Sequence, residues 1–376
     1  MHRTIVLMAV LLAAATVTAG CGASGARPAS KPLILTGLKL SPSPVLAPDA
    51  GSRIDVLGAA GLLLASADDG ATWQTHALQQ TLATDGFFWR VATADARHIW
   101  AIDRYRGEIV ASADAGRTWT VQYRKAHVAL TDVACSGPRH AWVVGFTAGG
   151  HPLILSTVDG GRTWITQKAP LDQIALAGVA FTDARHGWAV GRGSPVTGAD
   201  LLYVLKTDDG GARWRVVYKG SNVGLGAIAA TDARHCWVVG SSPHLDSRRE
   251  YAAATIVVTS DGGVHWRTQL DGRYERLLCV TFADRLHGWA GGYRGTILAT
   301  TDGGLDWAQT HVGPNVLVTA VACSGADRAW AVIPAMSTLL ATRDGGASWA
   351  TTRLCAPGRF GFWALSVPPA GGRTTR

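Results

Sequence analysis

Gly288-Trp289-Ala290-Gly291-Gly292-Tyr293-Arg294-Gly295-Thr296-Ile297-Leu298-Ala299-Thr300-Thr301-Asp302-Gly303-Gly304-Leu305-Asp306-Trp307 holds two tryptophans in a fixed relation to one turn. The turn phrase is Ser/Thr, then Asp two residues on, Gly two further and Trp three further. It occurs seven times, at Ser66-Asp68-Gly70-Trp73, Ser112-Asp114-Gly116-Trp119, Thr157-Asp159-Gly161-Trp164, Thr207-Asp209-Gly211-Trp214, Thr259-Asp261-Gly263-Trp266, Thr300-Asp302-Gly304-Trp307 and Thr342-Asp344-Gly346-Trp349. Successive turn tryptophans lie 46, 45, 50, 52, 41 and 42 residues apart, the length of one four-stranded propeller blade. The spacing predicts an all-β chain, a seven-bladed β-propeller of four-stranded antiparallel blades, with the Asp turn between third and fourth strands.

A second phrase precedes each of the last six turns, as in Asp183-Ala184-Arg185-His186-Gly187-Trp188 and Asp232-Ala233-Arg234-His235-Cys236-Trp237. Trp100, Trp142, Trp289 and Trp330 hold the same place, and with Trp89 and Trp363 the two phrases account for all 15 tryptophans. Within the opening stretch, Cys279–Phe282 reads as the inner strand, Gly288–Gly291 as the second and Gly295–Thr301 as the third. Gly accepts φ > 0 and an Asp carboxylate takes backbone N–H bonds inside a turn, so Asp-Gly-Gly serves the hairpin. At the C-terminus, Gly361-Phe362-Trp363-Ala364-Leu365-Ser366 is similar to Gly86-Phe87-Phe88-Trp89-Arg90-Val91. The C-terminal strand is therefore expected to complete blade one and close the ring, which removes free edges that would otherwise invite pairing with other chains. The alternative takes Leu33–Leu40 as that inner strand.

His2 and Arg3 precede an apolar run from Ile5 to Ala15, and small residues lead to Thr18-Ala19-Gly20-Cys21. The run is short and removable, as in a signal peptide, and the last four residues resemble a bacterial lipobox with Cys21 as the lipidated residue. The expected organisation is a signal peptide over 1–20, a lipid-anchored flexible linker over 21–50, the propeller over 51–367 and a disordered tail over 368–376. Such a chain would be exported and anchored to the outer side of a bacterial membrane. Cys135, Cys236, Cys279, Cys323 and Cys355 have irregular spacing and give no disulfide framework. Cys135 and Cys323 occupy matching positions, equivalent to Phe181, Ala230 and Phe282, and read as small buried apolar residues.

The turn phrase resembles the Asp-box, or BNR, repeat of sialidases and other propellers. The longer pattern from Gly288 to Trp307 is similar to the photosystem II stability/assembly factor family, over about residues 50–367. That resemblance implies a non-enzymatic scaffold binding a protein partner, a membrane protein under assembly or repair. The other resemblance implies an exo-α-sialidase or another Asp-box glycoside hydrolase. Sialidases use an N-terminal Arg-Ile-Pro phrase, for which Ser52-Arg53-Ile54-Asp55 is the nearest approach and lacks the proline. The chain has only three glutamates, Glu108, Glu250 and Glu275, the last beside Tyr274. Seven equivalent Asp68, Asp114, Asp159, Asp209, Asp261, Asp302 and Asp344 at turns cannot all be catalytic, and they read as structural, as do the seven turn tryptophans. His98, His140, His186, His235 and His287 recur around the rim, too far apart to share a metal. No catalytic residue, cofactor or metal is expected.

In a propeller the second-to-third-strand loops and the blade connections share one face, and variable loops on a rigid ring are where binding resides. The longest such insertions here are Gly191–Leu201 and Gly240–Ala252. On that face Arg192, Lys219, Arg248, Arg249, Arg273, Tyr274, Arg276, Tyr293 and Arg294 are the candidate partner-binding residues. Net charge +8 suits an acidic or carboxylate-bearing segment of a membrane protein, or an anionic surface. Nucleic acid is not an expected partner of an exported lipoprotein, and the chain is expected to be a monomer.

Overall fold

The computed structural model describes residues 53–58, 61–78, 87–193, 201–221, 226–241, 253–311, 316–354 and 362–368. They form seven four-stranded antiparallel sheets. Each inner strand touches the next, and the last touches the first, so the sheets close into a propeller ring. Blade one takes its inner strand from the C-terminus: Phe362–Ser366 pairs with Ile54–Gly58, followed outward by Leu62–Ser66 and Gln74–Ala77. The closure expected from the two aromatic phrases is the one observed, and Leu33–Leu40 lies outside the described residues.

Blade four shows the common plan, with Ile174–Phe181, Gly187–Gly193, Leu201–Thr207 and Arg215–Ser221 running from the axis outward. Second and third strands such as Ile99–Asp103 and Glu108–Ser112 are buried along their whole length, because neighbouring blades cover both of their faces. Strands covered on both faces lose the polar–apolar alternation. Outer strands such as Thr120–Arg124 remain largely exposed. In blade six the inner strand is Leu277–Phe282, two residues longer than its sequence suggested, and the third is Thr296–Thr300. Gly295 is taken by a short 3-10 turn, Tyr293–Gly295, in which Arg294 adopts a left-handed φ of 52°.

Blades are joined by aromatic stacks. Trp142 lies flat on Phe181 of the next blade at 3.5 Å between ring centres, and Phe181 meets the turn residue Trp214 edge-on at 5.9 Å. Trp237, Phe282 and Trp307 repeat this arrangement two blades further. The second-strand residues Trp100, Trp142, Trp188, Trp237, Trp289 and Trp330 are sealed in the core, each at most 2% exposed. Of the turn set, Trp119, Trp214 and Trp307 are buried, whereas Trp73, Trp164, Trp266 and Trp349 are half-buried. The deepest packing therefore belongs to the second strands more than to the turns.

A glutamine three residues after a turn tryptophan adds a polar stitch that the sequence pattern did not suggest. Gln122, Gln167 and Gln269 donate through Nε2 to Gly160, Gly210 and Gly303 of the following blade, at 2.9, 2.9 and 2.7 Å. The neighbouring Gly161 and Gly304 have φ of 85° and 88°, and a Cβ there would overlap Gln122 and Gln269. The positive φ favours glycine there, and a Cβ would push the glutamine amide off its bond to the next blade.

Candidate functional site

At the Asp turns, each carboxylate is consumed by its own loop. The Ser66 hydroxyl donates to Asp68 at 2.7 Å and accepts from the Gly70 N–H at 2.8 Å. Asp68 also accepts from the Thr72 N–H and hydroxyl, at 2.8 and 2.6 Å. Thr300 and Asp302 repeat the pattern with Gly304 and the Asp306 N–H. At Asp261 the His265 ring takes the place of the second hydroxyl. These bonds hold the carboxyls below their ordinary 3.8. Partial burial alone would raise Asp114, but donors from Thr118 and Ser112 outweigh it and hold it at about 2. At Asp344 the Ser348 hydroxyl and N–H do the same, again to about 2. A base held down in this way is a poor acceptor for catalytic proton transfer at neutral pH.

The Asp turns and the inner-to-second-strand turns are bonded to one another on one face: Gly160, Gly210 and Gly262 donate to the carbonyls of Arg139, Arg185 and Arg234 at 3.0, 2.8 and 3.0 Å. In that second turn type, Asp95, Asp183, Asp232 and Asp284 hold the rings of His98, His186, His235 and His287 at 2.7–3.0 Å. His140 has no such Asp and stacks on Trp142. No three His, Cys, Asp or Glu among the described residues are grouped to hold a metal.

The ring axis opens into a cavity at each end. On the Asp-turn face a cavity of about 680 Å³ is lined by inner-strand ends of all seven blades, among them Cys135, Phe181, Ala230, Phe282, Cys323 and Ser366. Cys135 and Cys323 are half-buried on this wall rather than enclosed. Burial pushes their thiols to about 12 and about 11, so neither is a nucleophile at neutral pH. Asp232 and Asp284 also line it. Burial would raise Asp232, but the donors of its own turn prevail and hold it at about 2, and Asp284 is lowered in the same way.

The opposite end is built by β-bulges. In blades one, two, three, four and six the inner strand carries one extra residue near its start: Trp363, Trp89, Thr131, Ala177 and Leu278. A bulge re-aims a side chain, and here Trp89, Thr131, Ala177 and Leu278 line an axial pocket of about 460 Å³. Arg90, Arg104, Arg192 and Arg276 line the same pocket, and among the described residues its lining includes no Asp or Glu. Arg90 and Arg104 lie over the Trp89 ring, 4.8 and 5.3 Å from its centre, an arrangement favourable to both partners. Behind Arg90, Asp132 lies at 3.8 Å and accepts from the Val179 N–H at 2.9 Å. Burial pushes the Asp132 carboxyl up, against the pull of the Arg90 charge.

Of the residues singled out from sequence, the structure brings Arg192 and Arg276 together in this pocket. Lys219 is exposed on the outer strand of blade four. Tyr274 packs against the apolar core between blades five and six. Arg294 is exposed in the Tyr293–Gly295 turn, 3.9 Å from Glu275. Tyr293 is half-buried in that turn. Arg248 and Arg249 lie outside the described residues, as do Cys21, Cys355 and the side chain of Arg273. Arg53, the nearest approach to a sialidase arginine, forks onto the buried Asp55 with two contacts of 2.8 Å, and Thr93 of blade two donates to the same carboxylate at 2.7 Å. Its guanidinium also donates to the Ala96 and Ala115 carbonyls, so it ties blade one to blade two and does not line the pocket. The sequence reading missed Arg90, Arg104 and the bulge that presents Trp89, although the departure of Phe87–Arg90 from the small residues of other inner strands was visible.

Comparison with curated proteins finds no match. Among solved structures, the ring is similar to YCF48 bound to a D1 peptide, at 17% identity and TM-score 0.52, over 71% of this chain and 82% of that one. It is similar to YCF48 from Cyanidioschyzon merolae, at 16% identity and TM-score 0.51, over 71% and 85%. It also resembles the GH74 xyloglucanase from Xanthomonas campestris, at 16% identity and TM-score 0.55, over 86% of this chain and 55% of that one. At these identities the likeness is one of fold. The family model described as photosynthesis system II assembly factor YCF48 matches residues 111–218 and 266–361, more than half of the sequence, and the chain belongs to that family.

Proposed function

We propose that the propeller is a non-enzymatic scaffold that captures a carboxylate-bearing segment of a partner protein in the arginine-lined pocket on its axis. The observation that carries this reading is the convergence of Arg90 and Arg104 from blade two, Arg192 from blade four and Arg276 from the connection into blade six on one axial pocket beside the Trp89 ring. Guanidinium groups match carboxylates bidentately, and their charges add in a cleft shielded from water. A peptide partner is consistent with the fold relative whose structure is of YCF48 bound to a D1 peptide. The non-enzymatic reading is supported by the carboxylates at the Asp-turn end of the axis, which are lowered and engaged in their own turns. Glycoside hydrolysis needs one carboxyl raised as an acid beside a second that stays ionised. The N-terminal segment ending in Cys21 supports an exported protein, tethered by lipid to the outer side of a bacterial membrane, where the partner is a membrane protein during assembly or repair.

The test is fluorescence anisotropy with a labelled acidic peptide bearing a free C-terminal carboxylate. Arg104→Glu with Arg192→Glu should abolish capture and leave the melting temperature nearly unchanged. Arg97→Glu, Arg139→Glu and Arg185→Glu on the Asp-turn face form the matched control. Capture lost in the control and kept in the pocket variant would place the site on the wrong face. For the anchor, Cys21→Ser should release the protein from membranes, and lipid labelling that persists in this variant excludes Cys21.

A further inference from the structure

Thirteen of the 15 tryptophans belong to the two repeating phrases that build and join the blades. Trp89 and Trp363 do not. Both are the extra residues of inner-strand bulges, in adjacent blades two and one, and their rings stack at 6.1 Å between centres. Phe87 stacks on Trp89 at 6.0 Å, and Tyr105 leans on Phe87 at 5.7 Å. None of the four is sealed: Phe87, Trp89 and Trp363 are half-buried, and Tyr105 is 71% exposed. The result is a wall of four aromatic side chains continuous with the arginine pocket, since Trp89 lines that pocket and carries Arg90 and Arg104 at its ring. A contiguous exposed aromatic surface costs hydration free energy and marks an interaction site when it adjoins polar recognition groups.

We infer that this wall is a second subsite of the pocket and takes an apolar side chain of the same carboxylate-bearing segment. The inference rests on the carboxylate reading above and adds a sequence requirement to the partner. The guanidinium carbon of Arg104 lies 5.3 Å from the Trp89 ring centre. An extended chain advances about 3.3–3.6 Å per residue. The apolar side chain therefore sits one or two residues from the carboxylate. The arginines supply charge recognition that any acidic segment satisfies, whereas the aromatic wall separates acidic segments with an apolar neighbour from those without one.

The experiment uses short labelled Gly/Ser peptides with a free C-terminal carboxylate, with leucine or with serine at the penultimate and preceding positions, and the same peptides amidated. With the wild-type protein the leucine acid should bind about tenfold more tightly than the serine acid. Tyr105→Ser and Trp363→Leu should each erase most of that advantage while leaving the serine acid bound as before. Tyr105→Ser alters an exposed residue, so its result does not depend on a costly core change. If leucine and serine acids bind wild type equally, and both better than their amides, the subsite is wrong and the carboxylate pocket stands. If the wall variants weaken both acids equally, the aromatic residues only hold the guanidinium groups in place and the inference falls. If no acid binds better than its amide, the carboxylate reading fails and the subsite with it.

Discussion

The two cavities on the ring axis are built by opposite ends of the same inner strands, and they differ in what their polar groups are engaged with. At the Asp-turn end, Asp232 and Asp284 accept from their own turn N–H groups and from the rings of His235 and His287. The Asp turns on that face close upon themselves in the same way. Repetition there makes each blade self-sufficient. At the bulged end the repeat breaks down: the bulge residue is Trp in blades one and two, Thr131 in three, Ala177 in four and Leu278 in six. Arginines from blades two and four and from the connection into blade six gather around it. A repeat protein secures its ring with the residues that recur and recognises a partner with those that do not.

Several substitutions break or sharpen this contrast. The largest effect belongs to the sealed second-strand tryptophans. Trp188→Ala should cost about 3–5 kcal/mol, because Trp188 is fully buried and also carries the Lys206 ammonium at 4.9 Å from its ring. Denaturant unfolding measures it, and the half-buried Trp164 should cost clearly less. A Trp188→Ala protein as stable as wild type would contradict the packing described.

Acid acts on every Asp turn at once. Carboxyls held below 3.8 in the folded chain contribute stability that is fully present above that value. It is lost as pH falls through the folded values, about 2 at Asp114 and Asp344. The unfolding midpoint should therefore drop steeply between pH 3.8 and about 2. A midpoint flat across that window would mean that the turn bonds contribute nothing.

Asp302→Ala removes one turn's acceptor and should cost about 1 kcal/mol, limited because solvent reaches the donors it abandons. It should leave peptide capture at the other end unchanged, whereas Arg104→Glu with Arg192→Glu should change capture far more than stability. An Asp302→Ala variant that folds yet loses capture would erase the division of labour between the ends.

The smallest effect is a gain. Ala115 takes the left-handed conformation, φ 69°, at the place where Gly160 and Gly303 stand in other turns. Ala115→Gly should raise stability by at most about 1 kcal/mol, the strain relieved being partly offset by glycine's greater freedom in the unfolded chain. Differential scanning calorimetry reads the shift, and a lower melting temperature would show that Ala115 is not strained.

Blade number, strand order and closure by the C-terminal strand were all legible in the sequence. They rest on short-range chemistry: a Ser/Thr, an Asp and a Gly within five residues close their own hydrogen bonds, and the turn tryptophan follows at a fixed offset. The likeness of Gly361–Ser366 to Gly86–Val91 likewise identified two inner strands before any pairing was known. The pocket was legible only in part. Arg192 and Arg276 could be placed on the right face from loop position, but Arg90 sits within a strand, and nothing local shows that one extra residue at position 89 turns Trp89 toward the axis. A bulge is a mismatch in count between two strands, so it exists only once their register is set. The meeting of Arg90 and Arg104 with Arg192 and Arg276 exists only once the ring has closed, because residues 88 to 186 positions apart in the chain become neighbours through the curvature of the whole propeller.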